Sequence, residues 1–250
     1  MNALYNYLLK LADDSLIMGQ RLSEWCGEGP YLEEDIALVN VALDELGQAN
    51  NFYQYASRIA DNGTTEDDIA FLRYEPDYVN AHWVELPNGD YAQTVLKVYV
   101  FAVYQKLLYQ ALSESADEDL SAIAQKSLKE VKYHYTHASS WMNIFAQGTE
   151  ESKKRLTNAI ENIWEYTKGL FAKVEGESEL SALNVVPNAD ELYQQFISIT
   201  EKDFQEFGLE YPAKDHFMQP RSRTGYHTEY FGYILCELQY MQRAYPGCTW

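Results

Sequence analysis

The stretches Asp44-Glu45-Leu46-Gly47-Gln48 and Glu130-Val131-Lys132-Tyr133-His134 set the reading of this chain. Each lies in a long run of helical periodicity, and each looks like one arm of a two-metal carboxylate site with its ligands removed. A di-iron four-helix bundle takes a Glu from each of two helices and a Glu-x-x-His pair from each of the other two, all aimed inward. Here the first pair reads Glu45-x-x-Gln48. A neutral amide lacks the imidazole lone pair that iron readily takes. In the second arm Val131 stands three residues before His134, where a carboxylate belongs. Glu130 is four before it, a spacing that alone leaves metal binding open, because residues four apart share a helix face to within about 40°.

Working outward, helical periodicity covers most of the chain. Leu4, Leu8, Leu11, Ser15, Met18, Leu22 and Trp25 recur at helical spacing until Gly27, Gly29 and Pro30 break the run. The acids Glu33, Glu34 and Asp35 suit the positive end of a second helix, which continues to Asp61-Asn62-Gly63. The spacing predicts core helices over residues 2–26, 32–60, 91–115 and 117–147, with further helices over 150–171, 189–207 and 228–244. Residues 61–90 hold Pro76 and the turn signal Leu86-Pro87-Asn88-Gly89-Asp90, so short helices and loop are expected there. Residues 174–190 read as a linker. No stretch shows the alternation of a buried sheet. Two antiparallel pairs joined by a long crossover make an all-α, ferritin-like four-helix bundle with additional C-terminal helices, expected as a single domain over 1–250.

Counting ligands along those helices leaves the metal site incomplete. From Tyr91 through Ser113 there is no Asp or Glu, and only Lys97 and Lys106 are charged. A two-metal bundle needs a carboxylate from that helix. In the first helix Asp13 and Asp14 fall beside the stripe through Leu11, Ser15 and Met18. Glu45 and His134 are then expected as leftover polar groups in a core, needing hydrogen-bond or ionic partners, which a lysine could supply. Glu130, His134 and His137 share one helix face, the best remaining constellation. Three ligands from one helix still lack a second shell and further donors, so a satisfied histidine and a solvated ion pair is the simpler account. His82, His216 and His227 are scattered and default to structural roles. The 21 tyrosines read as core and interface residues with a wet hydroxyl. No dinucleotide fingerprint, P-loop or nucleophile elbow occurs, so no catalytic, cofactor-binding or metal-binding residue is expected.

Composition narrows the class further. A chain of 250 residues with 46% hydrophobic residues can bury a large core. Its formal net charge of -19 argues against a nucleic-acid backbone or an anionic membrane as partner. Cys26, Cys236 and Cys248 are odd in number and lack Cys-x-x-Cys spacing, which fits a reducing, cytoplasmic setting. No secretory signal or membrane-length apolar run is read.

Several longer stretches carry a family resemblance. They are Gln20-Arg21-Leu22-Ser23-Glu24-Trp25-Cys26-Gly27, Leu43-Asp44-Glu45-Leu46-Gly47-Gln48-Ala49 and Leu86-Pro87-Asn88-Gly89. Lys129-Glu130-Val131-Lys132-Tyr133-His134 and Arg223-Thr224-Gly225-Tyr226-His227-Thr228-Glu229 continue the pattern, as do Gln239-Tyr240-Met241-Gln242-Arg243, Pro246-Gly247 and Trp250. Over almost its whole length the chain resembles the non-catalytic, ferritin-like subunit of ring-1,2-phenylacetyl-CoA epoxidase, the PaaC type.

The resemblance implies a paralogous catalytic subunit that holds the di-iron centre, an iron-sulfur flavoprotein reductase and small accessory subunits. Together they would epoxidise the aromatic ring of phenylacetyl-CoA with O2 and NADPH electrons. It places the lost ligands at Leu16, Glu45, Gln48, Val131 and His134, so this chain would carry no metal and no cofactor itself. The inert bundle is expected to buttress the catalytic subunit, with the largely apolar last helix a candidate contact face. For the chain alone, a homodimer is an open alternative. The rival function is a free-standing ferritin-like di-metal oxidase with displaced ligands; a third class is a helical adaptor unrelated to oxygenation.

Overall fold

The structure, a computed structural model, describes residues 2–213 and 217–248; His216 and Trp250 lie outside them. Among the described residues every regular element is helical, as the all-α, ferritin-like reading requires. The chain groups into two compact units. One comprises Met1–Pro87, Val174–Glu177 and Arg221–Trp250, the other Asn88–Lys173 and Ser178–Pro220.

The first unit is built on an antiparallel pair, α1 (Ala3–Ser23) and α2 (Leu32–Ala60). Asn2 caps α1, its side chain accepting from the Leu4 N–H, and the acids of the first turn of α2 lie at the positive end of that helix dipole. From Tyr7 through Gly19 every residue of α1 is buried. The helix is covered on all sides, although its periodicity reads as a one-sided stripe. What covers it comes from far along the chain. The crossover carries α3 (Glu66–Phe71), opened by a capping box between Thr65 and Asp68, a short 3-10 turn (Glu75–Asp77) and α4 (His82–Glu85). The segment from Arg221 leads into α10 (Phe231–Ala244). Gly225 passes so close to the crossover that a Cβ there would meet the Pro76 carbonyl oxygen at 2.6 Å, and its φ of +74° favours glycine as well.

The second unit repeats the plan with α5 (Tyr91–Leu112) and α6 (Glu118–Gln147), capped by Asp90 and Asp117. From Thr94 through Gln105 all of α5 is buried, which gives its lack of acids a plain packing cause. The unit is completed by α7 (Glu150–Ile163) and α9 (Ala189–Phe207).

Some boundaries differ from expectation. The helix expected over 150–171 stops as α7 at Ile163, and Trp164–Phe171 continue as a 3-10 helix. Thr167 Oγ1 donates to the Trp164 carbonyl at 2.8 Å, and Trp164 and Phe171 both pack on Phe196, so the tighter winding aims its aromatic rings into α9. The linker expected over 174–190 holds α8 (Glu177–Ala182). The last helix starts at Phe231, not 228; the Thr228 N–H donates to Glu85 Oε2 at 2.7 Å.

Candidate functional site

The five positions expected as former ligands are all inside the protein. Leu16 on α1, Glu45 and Gln48 on α2, and Val131 and His134 on α6 are buried. Helical spacing puts Glu45 and Gln48 on one buried face of α2 and Val131 and His134 on one buried face of α6. On α5 the fully buried charged side chain is a cation, Lys97, whose ammonium donates to Asn88 Oδ1 at 3.4 Å. Glu130 and His137 are partly exposed, and the His137 ring stacks on Tyr133 with centroids 6.0 Å apart. Among the described residues no group of three or more His, Cys, Asp and Glu side chains is placed to hold a metal ion.

The polar chemistry of the first unit lies where the sequence did not point. Asp13 and Asp14, expected beside the stripe of α1, are buried within it. Adjacent helix positions differ by about 100°, and a helix covered all round must bury both. Each acid is therefore satisfied by partners distant in sequence. Asp13 accepts from the Tyr53 hydroxyl at 2.6 Å, the Arg73 guanidinium and the Val79 N–H at 2.9 Å. Asp14 accepts from the Ala81 N–H at 2.8 Å and from both Arg223 terminal nitrogens, at 2.9 and 2.6 Å. Burial pushes the Asp14 carboxyl up, and Arg223 opposes the shift. Burial, and next the Asp13 carboxylate, holds the Tyr53 phenol well above its ordinary value.

Glu85 closes the same region. Its carboxylate accepts from Asn80 Nδ2 at 2.7 Å and the Thr228 N–H, and it faces His227 Nδ1 at 2.7 Å. His82 Nε2 meets the Tyr226 carbonyl oxygen at 2.7 Å. Both histidines thus tie the C-terminal segment down, the structural role expected of them. Arg73 and Arg223 were missed in the sequence. The available signal was weak: both arginines lie in irregular segments, Arg223 two residues after Arg221.

Lys10 and Glu177 form another buried pair, Nζ lying 2.9 Å from each carboxylate oxygen. Burial pulls the Lys10 pKa down to about 8, with Glu177 working the other way. The unfolded lysine titrates near about 10.4, so between those values the unfolded chain binds more protons and stability rises with pH. Below about pH 8 both states are protonated and the burial penalty is fully present. Between pH 8 and 9.5 wild type should gain on the order of 1 kcal/mol relative to Lys10→Met, whose urea-unfolding free energy lacks this rise. Parallel profiles for the two proteins would refute the assignment.

In the second unit Asp203 on α9 accepts from the Tyr99 and Tyr135 hydroxyls at 2.8 and 2.9 Å, joining α9 to α5 and α6. Burial, and then the Asp203 carboxylate, raises the Tyr99 phenol far above its ordinary value. Burial and the hydrogen bond to Asp203 push Tyr135 up to about 12. Lys106 Nζ lies 3.9 Å from the Tyr135 ring centre. These groups lock helices together.

The last helix, expected as a candidate contact face, is buried on one side only. Phe231, Ile234 and Leu235 complete the core, while Tyr233, Tyr240 and Met241 are exposed on the other side. Cys26, Cys236 and Cys248 are free and exposed.

Comparison with known proteins agrees with the helical plan. The family model described as phenylacetic acid catabolic protein matches residues 1–250. The chain belongs to this family. Within the phenylacetic acid catabolic family it is similar to the C-type subunit of 1,2-phenylacetyl-CoA epoxidase of Escherichia coli (strain K12). The two are 37% identical over 250 residues, 100% of each chain. No helix among the described residues is long and apolar enough to cross a membrane.

Proposed function

We propose that this chain is the structural, non-catalytic subunit of a phenylacetyl-CoA epoxidase in cytoplasmic phenylacetate degradation, and that it pairs with and stabilises a paralogous di-iron catalytic subunit. An iron-sulfur flavoprotein reductase and small accessory subunits would complete the complex. The observation that carries this reading is the chemistry at the buried ligand positions, in a chain similar from end to end to a known epoxidase subunit. Leu16 and Val131 are hydrocarbon, Gln48 is a neutral amide, and the ionisable residue buried on α5 is Lys97, not a carboxylate. These residues do not fit a two-metal carboxylate centre.

The rest of the structure supports the same reading. A bundle that relies on metal to neutralise inward carboxylates would be left with buried anions when the metal is lost. Here Arg73, Arg223 and Lys10 neutralise Asp13, Asp14 and Glu177 from within the chain. The fold stands on its own residues, as a scaffold must.

The test is thermal melting of this chain and of a di-iron catalytic paralogue, each alone and mixed, with iron analysis of this chain purified alone in iron-supplemented medium. A partner that binds only the folded state adds about 2.7 kcal/mol when present at about 100 times its Kd. The melting temperatures are therefore expected to rise on mixing, with one joint size-exclusion peak and iron only in the paralogue. Unchanged melting and separate peaks would remove the scaffold reading. Stoichiometric iron in this chain, with phenylacetyl-CoA-dependent O2 uptake in the paralogue's absence, would establish the free-standing oxidase instead.

A further inference from the structure

Asp203 in the second unit carries a charge that joining helices does not require. In the first unit the carboxylates of Asp13, Asp14 and Glu177 are each met by Arg or Lys. Asp203, only 8% exposed, has two neutral phenols as its described hydrogen-bond partners. Both donate to Oδ2, Tyr99 at 2.8 Å and Tyr135 at 2.9 Å. A neutral amide could accept both hydroxyls with less desolvation. What the carboxylate adds is basicity.

A phenol gives up an electron readily only when its proton can leave in the same step, because an oxidised phenol is a strong acid. The acceptor must already be in hydrogen-bond contact, as for any general base. Tyr99 meets that condition and is fully buried. Burial and the Asp203 carboxylate keep its phenol protonated far beyond neutral pH. No phenolate forms in advance, so electron and proton must leave together.

We propose that Tyr99 and Asp203 form a one-electron storage site, at which a strong one-electron oxidant takes an electron from the Tyr99 ring while its proton passes to Asp203 Oδ2. The phenol O–H bond breaks, a carboxyl O–H bond forms, and a neutral phenoxyl radical remains. The new Asp203 O–H donates back to the phenoxyl oxygen, and Tyr135 keeps its hydrogen bond to the same carboxyl. One electron from a reductant of the thiol or ascorbate class, with return of that proton, restores the phenol. The site itself needs only the oxidant; that an oxygen-activating partner supplies it when turning over without substrate rests on the proposed function.

Neighbouring rings supply the path. Tyr99 packs on Phe204 with centroids 6.5 Å apart, and Phe204 packs on Trp164 at 5.2 Å and on Tyr211 at 5.3 Å. Trp164 and Tyr211 meet at 5.5 Å, and Tyr211 is half-buried. The Tyr211 hydroxyl pairs with the Thr200 hydroxyl at 2.9 Å, which is no base, so an electron vacancy entering there moves on to Tyr99. Tyr135 is a poorer holder for another reason. The Lys106 ammonium sits 3.9 Å from its ring centre, and a cation there opposes removal of an electron. Tyr53 donates to Asp13 at 2.6 Å, but the Arg73 guanidinium and the Val79 N–H hold the same carboxylate. Protonating Asp13 would strip Arg73 of its counter-ion. Charge and burial therefore single out Tyr99.

Flash oxidation of the full-length chain by a photoexcited ruthenium polypyridyl, with a cobalt ammine as electron acceptor, tests this. Absorbance follows the radical, and EPR of frozen samples with ring-deuterated tyrosine identifies it. An immobile tyrosyl radical is expected that outlasts those formed in the urea-unfolded chain. Tyr99→Phe should abolish it, whereas Tyr135→Phe and Tyr53→Phe should leave it in place. Asp203→Asn keeps an acceptor and the fold but no base, and should slow formation about a hundredfold or more. A long-lived radical that survives Tyr99→Phe, formation unaffected by Asp203→Asn, loss of the radical in Tyr53→Phe, or no radical outlasting those of the unfolded chain would each overturn the proposal. None of these readouts involves the paralogue, so failure of this site and failure of the scaffold reading are seen separately.

Discussion

Arg223→Met is expected to lower the unfolding free energy by about 3–5 kcal/mol, because it leaves the Asp14 carboxylate buried without its counter-ion. The Arg223 side chain is fully buried and holds both Asp14 oxygens. After its loss one hydrogen bond to Asp14 remains among those described, from the Ala81 N–H. The carboxyl must then take up a proton or the segment must open, and Asp14 already resists ionisation through burial. In a chain of this size about 2–4 °C accompanies each kcal/mol, so the melting temperature should fall by about 10 °C. Arg223→Lys keeps the charge but cannot span both oxygens, and should fall between the two. The companion Asp14→Asn, Arg223→Met should recover a good part of the loss, since it removes the stranded charge and keeps an acceptor for the Ala81 N–H. Urea unfolding of the three variants at pH 7 measures the differences. A single Arg223→Met variant within about 1 kcal/mol of wild type would show that another group or water takes over Asp14.

The reason such a pair escaped the sequence reading lies in how α1 is covered. Its Leu and Met positions do form a stripe, and a stripe implies one wet side. Asp13 and Asp14 looked like residues of that wet side. Their partners Arg73 and Arg223 are 60 and 209 residues away, in segments with no periodicity to say where they pass. Local pattern places helices; it does not place the loops that cross them. Helix bounds were correspondingly legible: α2 and α9 begin where acidic first turns announce them, and Gly208 ends α9 in the left-handed conformation. The 3-10 stretch after Ile163 was not, because no proline marks the change and its winding is set by aromatic packing on α9. At the candidate site the non-ligating character of Gln48 and Val131 could be read directly, since a side chain's donor chemistry belongs to the residue type. Glu45 and His134 are buried, as expected of leftover polar groups in a core.

Asp203 offers the matching test in the second unit, where its described partners are phenols. Its Oδ2 receives two of them, one from the fully buried Tyr99 and one from the half-buried Tyr135. Hydrogen bonds to a charged acceptor contribute about 1.5–3 kcal/mol, and a buried donor left without an acceptor costs about 1–3 kcal/mol. Tyr99 cannot reach water once Asp203 is gone, whereas Tyr135 can. The loss should therefore be close to one full stranded hydroxyl plus a part of the second. Asp203→Leu, apolar and with the same branched outline, is expected to cost about 3 kcal/mol. Asp203→Asn, which keeps an acceptor of the same reach but not the charge, should cost about 1 kcal/mol. The decisive comparison is Asp203→Leu placed in a Tyr99→Phe, Tyr135→Phe background, where no hydroxyl remains to be stranded. If the tyrosine hydroxyls are what Asp203 serves, urea unfolding should find the leucine substitution nearly neutral there. Should it cost as much with phenylalanines as with tyrosines, the carboxylate acts instead through Lys106, whose ammonium loses a stabilising counter-charge in either background.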